Sequence, residues 1–309
     1  MSEAEKEYEN DLNSDVETEH EHGYEHSHRH KHKSKLRPFF FSVLSFFLAF
    51  ALFLLSVCAV LYTTVFSKDY ILNIMRSNGY YDMVRSELQS QMENLVDASG
   101  FDKEFADSFV KSCDIQGAVE KYVSSFYSGD KTLVDTISFK QDLYAAIDVY
   151  INDNNLKVAD ESRANISYFV NEAAEIYVTQ ITIPFFSTIA NYIYKARTIL
   201  NITTVSLAVF AAIIIAVIFF ANKYKHRRYK YLFISCCGGL LTVLILPTVL
   251  FIMDIVRKIN LNTRSIYNLF VNYFNNMFSS FYIWAGVLMA ASIVTLVLYI
   301  KHYKHAINR

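Results

Sequence analysis

Proline, glycine and cysteine are scarce in this sequence. Its 309 residues include three prolines, eight glycines and four cysteines. Only Cys113 lies in the large polar segment 67–198, so no disulfide can form within that segment. A small domain held together by disulfides is therefore excluded. The low glycine count also excludes a collagen-like repeat, which needs glycine at every third position.

Catalytic motifs are missing as well. The chain contains no H-E-x-x-H, G-x-S-x-G, G-x-x-x-x-G-K-[ST] or G-x-G-x-x-G pattern, which disfavours zinc proteases, serine hydrolases and nucleotide-binding enzymes. Residues 67–198 also contain no histidine, the side chain most often used as a general base. We therefore expect a protein that is not an enzyme.

Hydrophobic residues, by contrast, are abundant and unevenly distributed. They make up 53% of the chain and form runs that predict transmembrane helices at 38–66, 199–221, 231–253 and 281–300. About 20 helical residues cross a hydrocarbon layer of roughly 30 Å. None of the runs contains a charged residue or histidine, which disfavours a self-sufficient ion-coupled transporter. The first run is too long for a signal peptide. The sequence therefore predicts an all-α membrane protein with four spans.

Lysine and arginine near the span ends predict the orientation. Thirteen of these cations lie in or beside segments 1–37, 222–230 and 301–309, and seven lie on the other side. Positive flanks favour the cytoplasm, so we expect a multi-pass protein of the cell membrane with both termini cytoplasmic. The basic loop 222–230 and the basic tail 301–309 are then cytoplasmic, and segments 67–198 and 254–280 are extracytoplasmic. The inverted topology remains an alternative.

Residues 67–198 have the spacing of a helical domain. Apolar residues recur every three or four positions, which favours amphipathic helices over strands, and we expect about five short helices around one core. The clearest stripe consists of Tyr81, Val84, Leu88, Met92 and Leu95.

Several residues in this domain are expected to begin or end helices. Asp114 and Ser138 are predicted N-caps, because short polar side chains accept hydrogen bonds from the first free N–H groups of a helix. Gly129 is predicted to end the helix that follows Asp114. A last long helix is predicted to start at Asp160 and to be kinked by Pro184, which lacks a backbone N–H.

The predicted domain is acidic. Residues 67–198 contain twelve Lys or Arg and nineteen Asp or Glu, a net charge of −7. This charge either keeps the surface soluble or forms a face for cations or a basic partner. Nucleic-acid binding is disfavoured because phosphate contact requires basic patches.

Residues 1–37 form a polar tail, acidic first and then basic. With almost no apolar side chains to bury, we expect it to be disordered. Its six histidines alternate with glutamates and cations, and they are candidate ligands for Zn²⁺ or Ni²⁺ of modest affinity. The alternatives are a passive polar tail and a basic cluster that lies on anionic headgroups. The candidate ligands are His20, His22, His26, His28, His30 and His32.

Two further segments leave alternatives open. Residues 254–280 have one apolar face that includes Ile266, Leu269 and Tyr273, so the segment either lies in the membrane interface or docks on the acidic domain. The segment from Cys236 to Gly239 predicts close helix packing, with lipidation of the cysteines as the alternative.

The order of these segments supports one comparison. The layout of the chain resembles that of uncharacterised four-span membrane proteins of Gram-positive bacteria. The features that carry the resemblance are the start of segment 67–198, SKDYILNIMRSNGYYDMVRSELQSQMENL, and the basic loop KYKHRRYKY. The resemblance implies no catalytic or binding residue. We expect the acidic domain to bind or sense a protein partner in the envelope. The alternative is a transporter or channel subunit, with metal handling by the tail.

Overall fold

The computed structural model describes residues 36–129, 134–156, 160–184, 186–253, 258 and 263–307. In these residues the protein is all-α. The ten helices are α1 (Leu36–Thr63), α2 (Lys68–Ser77), α3 (Tyr80–Ser99), α4 (Lys103–Ser112), α5 (Ile115–Ser128), α6 (Thr136–Asp153), α7 (Asp160–Ile181), α8 (Phe186–Ala221), α9 (Lys225–Ile252) and α10 (Arg264–Ile307).

Four of these helices are candidate membrane spans by length and composition. The candidate segments are Pro38–Thr63 of α1, Lys195–Ala221 of α8, Lys225–Ile252 of α9 and Arg264–Ile307 of α10. Many of their large apolar side chains point outward; Phe220, for example, is 89% exposed. The prediction of an all-α protein with four candidate spans is confirmed, and a multi-pass membrane protein is indicated.

The span helices pack in the order α8, α1, α9, α10. Two hydrogen bonds join α1 to α9: the Ser45 hydroxyl donates to the carbonyl of Tyr231, and the Ser235 hydroxyl donates to the carbonyl of Ser45, each at 3.0 Å. A Cβ added at Gly238 would lie 3.0 Å from the Cβ of Ala49. The glycines after the paired cysteines thus allow α1 and α9 to approach closely, as the packing interpretation predicted.

Helices α2 to α7 form a separate helical domain between α1 and α8. Its core surrounds α3, whose Val84, Leu88 and Met92 are completely buried and contribute about 1.5–3 kcal/mol each through burial. These residues belong to the predicted stripe, which is confirmed. The domain has six helices between residues 68 and 181, one more than the approximate number expected.

The helix ends follow most of the local signals. Asp114 caps α5, accepting a hydrogen bond from the backbone N–H of Gly117 at 2.9 Å, and Gly129 ends it at φ +77°, a conformation that favours glycine. The cap predicted at Ser138 is wrong. Asp135 caps α6 instead and accepts from both the backbone N–H and the hydroxyl of Ser138, because its carboxylate stands three residues before those donors.

Pro184 separates two helices instead of kinking one. Helix α7 ends at Ile181, and α8 begins at Phe186. Proline supplies no backbone N–H and disfavours the helical conformation of the residue before it, here Ile183. The break leaves α7 in the helical domain, while α8 continues without interruption into its candidate span.

Helix α10 also joins the helical domain to a span. Its 44 residues extend about 66 Å, roughly twice the thickness of the hydrocarbon layer. It includes residues 264–280 of the predicted connection; residues 254–257 and 259–262 lie outside the described part. Most of the predicted loop 222–230 is likewise helical, because α9 begins at Lys225.

Candidate functional site

A groove of about 610 Å³ runs along the helical domain between α4 and α6. One face of each helix lines it, because residues spaced three or four apart lie on the same side of a helix. The residues that line the groove are Asp102, Glu104, Phe105, Ser108, Phe109, Ser112, Ala145, Ala146, Val149, Tyr150, Asp153 and Asn154. The volume falls within the roughly 300–1,000 Å³ typical of binding pockets.

The groove has small or apolar walls and one acidic end. Ser108 on α4 and Ala145 on α6 are small, so they leave the space between the two helices open. Val149 is 58% exposed and leaves apolar area in the groove available for binding. Glu104 and Asp153 add carboxylates to the rim. The groove therefore combines burial of apolar surface with negative charge.

Asp102 holds one end of the groove together. It precedes α4 in the N-cap position, yet its side chain makes no capping hydrogen bond. Instead, its Oδ2 accepts a 2.8 Å hydrogen bond from the hydroxyl of Tyr150 on α6, and this bond raises the pKa of Tyr150. The ring of Tyr150 also packs 5.2 Å from that of Phe105. These contacts join α4 to α6 and set the width of the groove.

Nearby lysines are paired with other carboxylates. Lys103 contacts Asp97 at 3.0 Å, and Lys111 contacts Asp107 at 2.6 Å. Among the ion pairs formed between described side chains, none involves a carboxylate of the groove. Lys103 and Lys111 therefore do not neutralise the carboxylates of the rim.

The helical domain is held on the ends of three span helices. Tyr127 donates a 3.1 Å hydrogen bond to the carbonyl of Val65, just after α1. Phe126 stacks on Phe186 at the start of α8, with ring centroids 4.2 Å apart. The third attachment is to α10, where Leu269 is part of the domain's core. Segment 254–280 was predicted either to lie in the membrane interface or to dock on the acidic domain. Its residues 264–280 belong to α10 and dock on the domain.

The attachment to α10 uses a carboxylate at the start of that helix. Glu87 of α3 accepts hydrogen bonds from the backbone N–H of Ser265 at 2.9 Å and from its hydroxyl at 2.6 Å. A helix N-terminus carries unpaired N–H groups and partial positive charge, so a carboxylate stabilises it. No local pattern could have revealed a bond between residues 178 positions apart.

The predicted metal ligands lie outside the described residues, because His20, His22, His26, His28, His30 and His32 all precede residue 36. Two other histidines meet tyrosines where α9 begins and α10 ends. His302 stacks on Tyr229 at 5.3 Å, and His226 lies 6.0 Å from Tyr303. Within the described part of the chain, no three His, Cys, Asp or Glu side chains are grouped to hold a metal.

Comparisons with protein-family models, with curated proteins and with solved structures give no match for this chain. The similarity to four-span membrane proteins therefore remains one of architecture, carried by the four long apolar helices.

Proposed function

We propose that the protein is a non-enzymatic interaction or sensing protein of the cell envelope. In this proposal it is a multi-pass protein of the cell membrane with both termini in the cytoplasm and the helical domain outside. The groove between α4 and α6 binds a cationic segment of a protein partner. The observation that carries the proposal is the acidic rim beside the exposed apolar side chain of Val149.

Charge and apolar area have different roles in this binding. The net charge of −7 over residues 67–198 attracts a basic segment and speeds its association. Affinity then depends on burial of apolar surface, which Val149 and the ring of Tyr150 provide. A segment with lysine or arginine spaced around one or two apolar residues fits both features.

Firm attachment to the spans supports a sensing role. A partner in the groove contacts α4 and α6, which pack on α3 and α7. Helix α3 holds the N-terminus of α10 through Glu87, and α10 continues for 44 residues to Ile307. A change in the position of α3 therefore displaces one end of a single long helix.

The alternative, a transporter or channel subunit, has less support. The buried serines of the spans bond to backbone carbonyls, as Ser56 does to Leu52 and Ser292 to Leu288. Their hydroxyls are therefore satisfied by backbone carbonyls of the same or a neighbouring span helix, and no Asp, Glu, Lys, Arg or His lies in the four predicted apolar segments. Purified protein in liposomes should produce no ion or solute flux above that of empty liposomes. Clear flux would favour a transporter or channel subunit over an interaction or sensing protein.

The partner is tested by site-specific photo-crosslinking of the full-length protein in native membranes. A photoreactive residue at Val149 should form an adduct with one protein, whereas the same residue at exposed Tyr168 on α7 (66% exposed) should not. A synthetic peptide from the adduct site should carry net positive charge and bind the purified protein less tightly as salt increases.

Charge-neutralising variants test whether the carboxylates of the groove bind the partner that is crosslinked at Val149. Glu104→Gln with Asp153→Asn should abolish the Val149 adduct while preserving side-chain shape. The matched control, Asp69→Asn with Glu175→Gln, removes the same charge from exposed positions on α2 and α7 and should preserve the adduct. Equal adducts at Val149 and Tyr168, or an adduct that survives neutralisation of the groove, would contradict the proposal.

A further inference from the structure

A second cavity, of about 280 Å³, lies where the helical domain meets the ends of the span helices. We refer to it as the junction pocket. Val65, just after α1, and Tyr127, at the end of α5, form one side. Ile189 of α8 and Phe270 and Phe274 of α10 form the other side. Three of the four candidate span helices or their extensions therefore contribute to one cavity.

The chemistry of the walls restricts the ligand. Every described side chain of the lining is aliphatic, aromatic or proline, and the polar atoms of these side chains are the hydroxyls of Tyr127 and Tyr273. The Tyr127 hydroxyl is already bonded to the carbonyl of Val65, and burial raises the pKa of Tyr127 to about 12. A polar ligand would lose its hydration here without gaining partners, which is unfavourable. A hydrocarbon chain needs no hydrogen-bond partner, so this pocket can bury it without such a loss.

The size of the pocket favours a single chain. Its volume of about 280 Å³ is at the lower limit of the roughly 300–1,000 Å³ typical of pockets that enclose a drug-sized molecule. A complete two-chain lipid therefore does not fit. One chain can enter while its headgroup stays outside.

The pocket is also placed beside lipid. Ile189 is 47% exposed and precedes Lys195, where the candidate span of α8 begins, by about 9 Å along the helix axis. The headgroup layer on each side of a bilayer is roughly 5–8 Å thick. Val65, on the other side of the pocket, follows Thr63, the end of the α1 candidate span, by only two residues. The pocket thus extends from the headgroup layer to just beyond it, next to the outward apolar surface of α8.

We propose that the junction pocket binds one acyl chain of a membrane phospholipid. The chain leaves the adjacent leaflet at the mouth beside Ile189 and packs against Tyr127 and Phe270, while the headgroup remains at the interface. Phospholipid is the occupant because the mouth adjoins the bilayer, where acyl chains are present at very high effective concentration. The proposal is independent of the groove between α4 and α6.

The test uses the full-length protein in nanodiscs that contain a phosphatidylglycerol with a diazirine at the end of one acyl chain. After illumination, mass spectrometry locates the adducts. We expect adducts on the peptide that contains Phe126 and Tyr127, two residues of the helical domain that lie outside the candidate spans. Labelling confined to the outward faces of the span helices would overturn the proposal.

Two tryptophan variants of α8 distinguish the pocket from ordinary lipid contact. Ile189→Trp obstructs the mouth and should reduce labelling of Tyr127 about tenfold, which corresponds to 1.4 kcal/mol of lost affinity. Ile213→Trp is the matched control: it changes an outward residue that is 56% exposed within the span and should leave that labelling unchanged. Equal labelling in both variants would contradict the assignment.

A competition experiment shows whether the bound acyl chain belongs to a phospholipid or to a free fatty acid. Unlabelled phosphatidylglycerol should reduce labelling of Tyr127 in proportion to its share of the lipid. Displacement by a few mole per cent of oleic acid, without displacement by unlabelled phospholipid, would overturn the phospholipid assignment in favour of a free fatty acid.

Discussion

Glu120 connects three helices of the helical domain through one carboxylate. Arg76 of α2 forms two hydrogen bonds with it, at 2.9 and 2.8 Å, and Tyr81 of α3 donates a third at 3.2 Å. Partial burial alone would raise the pKa of Glu120, but the hydrogen bonds from Gln116 and Arg76 outweigh it, and the pKa lies below its usual value of 4.5. The folded state therefore favours the ionised carboxylate.

This depressed pKa predicts how stability changes in acid. The stabilisation is fully present above about pH 4.5, the unfolded value, and is lost as pH falls through the lower folded pKa. In detergent, the wild-type protein should have a higher unfolding temperature than Glu120→Gln at pH 7, and the difference should shrink below pH 4.5. The control, exposed Glu175→Gln, should match the wild type at both pH values. A difference that is constant with pH would contradict this prediction.

The cap of α5 makes two neighbouring substitutions depend on each other. Asp114→Ala should destabilise the protein by about 1 kcal/mol through loss of the cap. Glycine-to-alanine changes inside helices usually stabilise by about the same amount, but a Cβ at Gly117 would lie 2.8 Å from Cγ of Asp114. Gly117→Ala should therefore give no net gain in the wild type and about 1 kcal/mol in the Asp114→Ala background. Thermal unfolding of the wild type, the two single variants and the double variant measures the coupling between the two positions. Additive changes in the free energy of unfolding would contradict this prediction.

The histidines of the tail lead to a prediction about metal. A peptide of residues 15–37 should bind Zn²⁺ at neutral pH, and binding should weaken as pH falls through about 6.5, since a metal requires unprotonated imidazole. If the tail's cations instead dock on anionic headgroups, acidification should strengthen binding to phosphatidylglycerol vesicles. Calorimetry at pH 7.5 and 5.5 separates the two. A control peptide with the six histidines, His20, His22, His26, His28, His30 and His32, replaced by serine should show no metal heat.

Among the helices, the contact between α3 and α10 has the clearest physical role. Glu87 satisfies donors at the first turn of α10, where a free helix end would fray. Charged hydrogen bonds contribute about 1.5–3 kcal/mol. One side chain of the helical domain therefore stabilises the start of a helix that is about twice as long as the hydrocarbon layer is thick.

Removing this charge should loosen the start of α10. Glu87→Gln keeps the side-chain length but weakens the cap, so amide hydrogen exchange at residues 265–268 should accelerate about tenfold, for a loss of roughly 1.4 kcal/mol. The control is Glu93→Gln, because the Glu93 carboxylate accepts from Gln89 within α3. Exchange that is equally fast in both variants would show that Glu87 does not hold α10.

Local patterns predicted the helices better than the contacts between them. The stripe of Val84, Leu88 and Met92 predicted α3 because a buried helix face repeats every three or four residues. The cap predicted at Ser138 was wrong because Asp135, three residues earlier, accepts hydrogen bonds from the backbone N–H and the hydroxyl of Ser138. The groove between α4 and α6 depends on two helix faces that lie about forty residues apart in sequence, so helix periodicity alone gives no sign of it.

At the scale of the whole molecule, the helical domain and the spans form one connected structure. Contacts with the ends of α1, α8 and α10 hold the domain in place, and the junction pocket lies among those contacts. The proposed partner site and the proposed lipid site are therefore lined by different residues of the same connected structure. Which side of the membrane the domain occupies decides which partners can reach it.

The distribution of thirteen cations against seven predicts that the helical domain is extracytoplasmic. The native Cys113 is a poor probe of this, because its thiol donates to the carbonyl of Phe109 and burial raises its pKa to about 11, which leaves little reactive thiolate. Exposed positions are better: in a Cys113→Ser background, Leu156→Cys should react with an impermeant maleimide on intact cells, whereas Lys304→Cys should react only after lysis. The reverse pattern would establish the inverted topology and place the groove, with its acidic rim, in the cytoplasm.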